Sequence, residues 1–240
     1  MDVIVDSDQK PENQQKPKVN APHSVEIVVV ADRSGSMETM RDDAIGGFNA
    51  FLESQKKLSG KAVMTYVQFD HQYNLCFTGK LLKDVDPLDR TTFVPRGQTA
   101  LIDAVGRTIN EVEERIAKAD PADKPDAVVI VVLTDGKDNA SVEFKLSRVK
   151  QLIEKKTKDG WDFTFLSADM DAVSTGQSLG FARQNVALYC ESGQGTQSAF
   201  HSFSSRVADV RCGSAIKTSD EYLKQAEKEI KSSSESKRLK

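Results

Sequence analysis

The sequence is short of the residues that usually announce a disulfide scaffold, a zinc site or a nucleophilic enzyme. It has three cysteines in 240 residues, Cys76, Cys190 and Cys212, with no CxxC pair among them. An odd, scattered set makes neither a disulfide framework nor a zinc site and suits a reducing compartment. Each thiol is expected to be small and buried or half-buried. The three histidines, His23, His71 and His201, are equally scattered. None is placed with a Ser or Cys nucleophile and a second polar partner, so no triad is readable. Charge of one sign is also missing: 33 Lys and Arg stand against 36 Asp and Glu. Composition therefore gives no ground for nucleic-acid or membrane-surface binding, and the basic end Lys237-Arg238-Leu239-Lys240 is too short to be read as a nucleic-acid patch. No apolar run reaches the length of a membrane span. Residues 1–20 hold Asp, Lys, Gln, Asn and Pro where a signal peptide needs an apolar segment. The expectation is a cytoplasmic protein, and a virion component made in a bacterial cytoplasm fits the same features.

What is present is organised as one apolar middle between two polar ends. Residues 1–22, with Pro11, Pro17 and Pro22 among charged and amide side chains, cannot bury enough surface to offset ordering and are expected to form a disordered arm. Residues 213–240 turn to Ser, Lys and Glu and are expected to form a polar tail with a short helix over Asp220–Ile230. No internal repeat is found. Between the ends, residues 23–212 alternate strand and helix patterns. Val25–Ala31 and Ala127–Leu133 are almost continuously apolar and β-branched, as central parallel strands covered on both faces are. Val63–Phe69 and Tyr73–Phe77, separated by Asp70-His71-Gln72, predict a hairpin that supplies an antiparallel edge strand. Phe163–Ser167 and Val186–Tyr189 are further strand candidates. Apolar stripes at helical spacing run through Met37, Met40, Ala44, Phe48 and Leu52, and through Leu101, Val105, Ile109, Val112 and Ile116. Weaker ones cover Val142–Lys156 and Thr196–Val210. The pattern predicts an α/β fold: a doubly wound, Rossmann-like, mostly parallel sheet with helices on both faces.

The informative residues lie where the apolar strands stop. Asp32-Arg33-Ser34-Gly35-Ser36 follows the first strand, Thr134-Asp135-Gly136 follows the fourth, and Gly97-Gln98-Thr99-Ala100 precedes the Leu101 helix. In an open α/β sheet ligands bind at the carboxyl ends of the strands, where the winding reverses, so Asp32 and Asp135 are expected to face each other. Two carboxylates that close repel, and one has to take up a proton unless a cation or a basic side chain neutralises them. Ser34, Ser36 and Thr99 add neutral oxygens, and no His or Cys is near in sequence. An all-oxygen set suits Mg2+, Mn2+ or Ca2+ rather than zinc. Taken singly, each motif also has an ordinary reading. Asp32-Arg33-Ser34-Gly35 reads as a turn and cap, Thr99 as an N-cap, and Asp138-Asn139 as a solvated turn and cap for the following helix.

Together the three motifs resemble the metal-ion-dependent adhesion site of von Willebrand factor A (VWA) domains, and the resemblance runs from about Val25 to about Val210 in order of elements. Stand-alone bacterial and phage members look most similar, on the strength of Asp32–Met37 and Leu133-Thr134-Asp135-Gly136-Lys137-Asp138-Asn139. The resemblance implies a sheet order of 3-2-1-4-5-6 with strand 3 antiparallel. It implies Ser34 and Ser36 as direct ligands of Mg2+ (or Mn2+ or Ca2+), Thr99 joining them in the binding-competent state, and Asp32 and Asp135 acting partly through bound water. It also implies an open coordination position that an Asp or Glu of a protein partner fills. Two other functional classes compete. A Mg2+-dependent phosphohydrolase on a similar fold also keeps Asp after its first strand, but usually wants a second carboxylate two residues on, where this chain has Ser34. A purely structural or assembly role would use the ion only to stiffen the top of the sheet.

Overall fold

The computed structural model describes residues 24–190 and 192–238; the arm expected over residues 1–22 lies outside them. The elements in chain order are β1 (Ser24–Asp32), α1 (Arg41–Lys56), β2 (Lys61–Phe69), β3 (Tyr73–Leu81), α2 (Leu101–Lys118), β4 (Ala127–Thr134), α3 (Leu146–Lys158), β5 (Asp162–Ser167), α4 (Ala172–Leu179), β6 (Val186–Leu188), α5 (Gly193–Cys212) and α6 (Ser219–Arg238). Their strands form one sheet in the order β3-β2-β1-β4-β5-β6. All neighbours are parallel except β2 and β3. This is the doubly wound sheet that the alternation of strands and helices predicts.

The two most apolar segments sit side by side at the centre, with Val25 opposite Ala127 and Ala31 opposite Leu133. Successive side chains of a strand point to opposite faces, and β1 divides accordingly. Val25, Ile27, Val29 and Ala31 pack with Phe48 and Leu52 of α1 and with Phe200, Phe203 and Val207 of α5. Val28 and Val30 pack with Leu101, Val105 and Ile109 of α2 and with Val149 and Ile153 of α3. The α1–α5 contact is close because Gly47 offers no side chain: a Cβ there would lie 2.4 Å from Phe200 Cδ2.

Charged side chains fasten the edges of this core. Arg206 donates to both carboxylate oxygens of Asp162 at 2.7 and 2.6 Å and to the Lys217 carbonyl at 3.0 Å. Arg211 is buried without an acid partner in its hydrogen bonds, donating to the carbonyls of Gln55, Leu58, Ser59 and Gly60 and to the Gln55 side-chain oxygen, at and just past the end of α1. Gln55 lies in the last turn of α1, and the other three carbonyls belong to the turn that leads from α1 to β2. Glu26, fully buried in β1, is held by Arg115 of α2 and by Thr65, which donates at 2.8 Å.

Several elements differ from expectation, each for a physical reason. The strand β3 runs on through Thr78-Gly79-Lys80 to Leu81; its polar face is solvated at the sheet edge, which hides the strand pattern. Helix α3 starts at Leu146 rather than Val142, because the carboxylate of Asp103 takes the N–H groups of Val142, Glu143 and Phe144 into a loop. The helix expected over 220–230 extends over Ser219–Arg238, and Tyr222, Leu223 and Ala226 are buried against the domain. The cysteines contradict expectation outright: Cys76, Cys190 and Cys212 are all exposed. Cys76 lies on the edge strand, Cys190 just past β6 and Cys212 at the last position of α5, none of them facing the core. Among the described residues no helix is long and apolar enough to cross a membrane.

Because Leu223 belongs to the same cluster as α1 and α5, Leu223→Ala should destabilise the domain by about 2–4 kcal/mol in urea unfolding. A loss below about 1 kcal/mol would mean that α6 rests on the surface without supporting the core.

Candidate functional site

The register of the central strands places Asp32, the last residue of β1, beside Thr134, the last residue of β4. Asp32 is fully buried. Its Oδ1 accepts from the Ser34 N–H at 2.7 Å and its Oδ2 from the Thr134 hydroxyl at 2.6 Å. The first bond folds Asp32-Arg33-Ser34 into a tight turn that leads into the 3-10 turn Gly35–Met40. That turn brings Ser34 Oγ within 3.1 Å of Ser36 Oγ, and Ser36 Oγ in turn donates to Asp135 Oδ1 at 2.9 Å. Thr99 is buried in the loop before α2, on the other side of Gly136: a Cβ on Gly136 would lie 3.9 Å from Thr99 Oγ1. The two loops meet through a backbone bond of 3.1 Å from Gly35 N–H to the Gly97 carbonyl. All five residues singled out in the sequence therefore converge on one end of the sheet.

Sequence reasoning missed the residues that hold this arrangement. Asp70, just past β2 and fully buried, pairs with Arg33 at 3.0 Å, Arg96 at 2.9 Å and His71 at 3.2 Å. Its carbonyl accepts from Ala100 N–H at 2.8 Å, while Arg96 N–H donates to the Arg33 carbonyl at 2.8 Å. One carboxylate thus fixes both the Ser34 loop and the Thr99 loop. The signal was available: Asp70 follows an apolar strand as Asp32 and Asp135 do, but it reads as part of a hairpin turn. Asp138 and Asn139, expected to cap the following helix, instead bond to the start of the preceding one, α2.

The donor set fits a hard cation. It consists of two carboxylates and three hydroxyls with no nitrogen or sulfur, the kind of shell that Mg2+, Mn2+ and Ca2+ prefer. No group of three or more His, Cys, Asp or Glu is gathered as a metal cluster among the described residues, so any ion here depends on the hydroxyls as well as the acids.

No protein-family model and no curated protein matches the sequence. Solved structures do match the fold. Proximal thread matrix protein 1 from the mussel byssus aligns with a TM-score of 0.55 at 15% identity, over 80% of this chain and 49% of that one. A von Willebrand factor type A protein from Catenulispora acidiphila aligns with a TM-score of 0.51 at 14% identity, over 77% of this chain and 42% of that one. The von Willebrand factor domain of the type V pili tip protein Mfa5 from Porphyromonas gingivalis aligns with a TM-score of 0.54 at 10% identity, over 78% and 96% respectively. The chain spans less than half the length of the mussel and Catenulispora proteins. At these identities the likeness is one of fold: the chain has the von Willebrand factor A architecture.

Burial pushes the Asp32 carboxyl up to about 6, with the nearby Asp135 charge adding to the rise and the bonds from Thr134 and Ser34 opposing it. No basic side chain pairs with Asp32 among the described residues. A folded-state value above the unfolded value of about 3.9 means that the native state binds the proton more tightly. In chelator, stability contributed by this group is present below pH ~4 and is lost as pH rises through about 6. Asp32→Asn should therefore gain stability relative to wild type across that interval, by roughly 2–3 kcal/mol at most. Parallel urea melts from pH 4 to 7 check this, and a difference that does not change with pH would contradict it.

Proposed function

We propose that the chain is a divalent-metal-dependent protein-binding module. The observation that carries this reading is the chain of contacts from Ser34 through Ser36 to Asp135, which gathers oxygen donors from two loops at the carboxyl edge of the sheet. In this reading Ser34, Ser36 and Thr99 hold Mg2+ (or Mn2+ or Ca2+) by their hydroxyls, and Asp32 and Asp135 balance its charge, partly through water. The ion supplies a Lewis-acidic coordination position. The chain's own residues orient it: Thr134 fixes the Asp32 carboxylate, the Ser34 turn fixes the two serines, and Asp70 holds the Thr99 loop. Because a neutral hydroxyl takes the position of a second carboxylate at Ser34, the ion keeps unspent positive charge. That charge favours an Asp or Glu side chain of a protein partner as its further ligand.

The same donor pattern weighs against catalysis as the main role. A Mg2+-dependent phosphohydrolase on a similar fold usually wants a second carboxylate two residues after the first Asp, and the residue there is Ser34, whose hydroxyl lies against that of Ser36. A structural role for the ion would share the ligands but would not need a partner carboxylate.

Mn2+ at a hundredfold excess over its dissociation constant should add about 2.7 kcal/mol to stability, seen as a rise of roughly 5–10 °C in the thermal midpoint. Ser34→Ala and Asp135→Ala should blunt that rise, and an unchanged response in both variants would place the ion elsewhere. Turnover of a general phosphatase substrate in Mg2+, lost in Asp32→Ala, would overturn the binding reading. For a recovered partner, binding should vanish in chelator and when one of its acidic residues is changed to alanine. Binding that survives both treatments leaves the ion a structural role.

A further inference from the structure

The loop that carries Asp135 is fastened to the start of α2, and the fastening runs through Thr99. Its N–H donates to Asn139 Oδ1 at 2.8 Å, and its carbonyl accepts from the N–H groups of Asn139 at 2.9 Å and Ala140 at 3.2 Å. The first N–H groups of a helix have no partner within it, and the N-cap residue of α2, Ala100, has no side-chain acceptor to offer. The loop supplies acceptors instead. Ile102 N–H donates to Asp138 Oδ1 at 3.1 Å and Asp103 N–H to Ser141 Oγ at 3.0 Å. The exchange is reciprocal, since the Asp103 carboxylate accepts from Val142 N–H at 2.7 Å, Glu143 N–H at 3.0 Å and Phe144 N–H at 2.7 Å. Phe144 then lies on Gly106, where a Cβ would come within 2.6 Å of its ring.

We infer that Asn139, with Asp138 and Ser141 behind it, is a positioning residue that sets the Thr99 hydroxyl against Asp135 and so tunes the affinity of the candidate metal centre. The inference rests on the metal-binding reading above. Neither Asn139 nor Asp138 belongs to the donor set, yet Asn139 brackets Thr99, one proposed ligand, with its side chain on the N–H and its backbone N–H on the carbonyl, and lies four residues along the chain from another, Asp135. Asn139 is itself exposed. A residue with only a capping role lowers stability when it is lost and leaves metal affinity alone, whereas groups that orient metal ligands commonly change metal affinity by 10–100-fold. Asp70 orients the same loop from the other side, but it is fully buried beneath two arginines, so its replacement would disturb the fold as well as the site.

The test is Mn2+ titration by calorimetry on the full chain, paired with thermal unfolding in chelator. Asn139→Ala should lower Mn2+ affinity about 10–100-fold while the midpoint in chelator stays close to wild type. Amide exchange at Thr99 should quicken in the same variant. Asn139→Asp, which keeps the Oδ1 acceptor, should restore slow exchange at Thr99, and Ser141→Ala should lower affinity by a smaller factor. Asp135→Ala is the control for the site itself. If Asp135→Ala abolishes Mn2+ binding and Asn139→Ala stays within about twofold of wild type, the positioning role is wrong and the site stands. A lower midpoint in chelator with unchanged affinity also overturns it, as the signature of a purely structural cap. If neither variant changes Mn2+ binding, the metal-binding reading falls together with the inference.

Discussion

The structure depends on the pairing of β1 with β4. Both strands are covered on both faces, and burying each Val or Ile side chain contributes about 1.5–3 kcal/mol, so the pair is held in register by its whole length. The register brings an acid to the end of one strand and a threonine to the end of the other, at the point where the sheet reverses its winding. Asp32 is consequently drawn into a site where a carboxylate is costly. Two hydrogen bonds offset part of that cost, and the rest appears as a raised affinity for protons. The same imbalance is what a cation relieves, so core packing and the chemistry of the site are consequences of one strand pair.

Around that fixed point the loops are held by polar contacts of two kinds. On the β2 side a buried carboxylate, Asp70, gathers Arg33 and Arg96 and so ties the Ser34 loop to the loop before α2. On the β4 side the ties are almost all to backbone N–H groups, exchanged between the start of α2 and the loop after Asp135. The first arrangement relies on charge in a dry setting. The second uses unfilled helix-end donors and lies nearer to solvent, so water can compete for it.

Much of this was legible in the sequence. The unbroken apolar runs of β1 and β4 identify central parallel strands, and the stripes of α1 and α2 identify helices that pack on them. The five oxygen-bearing residues were readable because they stand directly after those strands or before that helix. What failed to show was of another kind. Asp70 looked like a hairpin residue because its partners, Arg33 and Arg96, come from loops distant in sequence. Asn139 looked like a cap for the next helix because local pattern cannot say that a loop turns back onto the previous one. The extent of α6 was hidden because few of its apolar side chains, Tyr222, Leu223 and Ala226 among those described, are buried, too few for a visible stripe in a Lys- and Glu-rich segment. The cysteines came out exposed because the average behaviour of free thiols says nothing of an edge strand or a helix end.

The clasp of Arg211 on the carbonyls at and just past the end of α1 has a bearing on the order of synthesis. Helix α1 is made early, but the helix that covers it and the guanidinium that closes its C-terminus belong to α5; the contacts between Gln55 and Ser204 span 149 residues. The opposite face of the sheet is furnished sooner, by α2 and α3. A nascent chain that has emerged only as far as β5 therefore has α2 and α3 over one face and α1 alone over the other, with Phe48 and Phe51 still lacking their partners Phe200 and Phe203. Until α5 leaves the ribosome, that side is the surface a holding chaperone would meet.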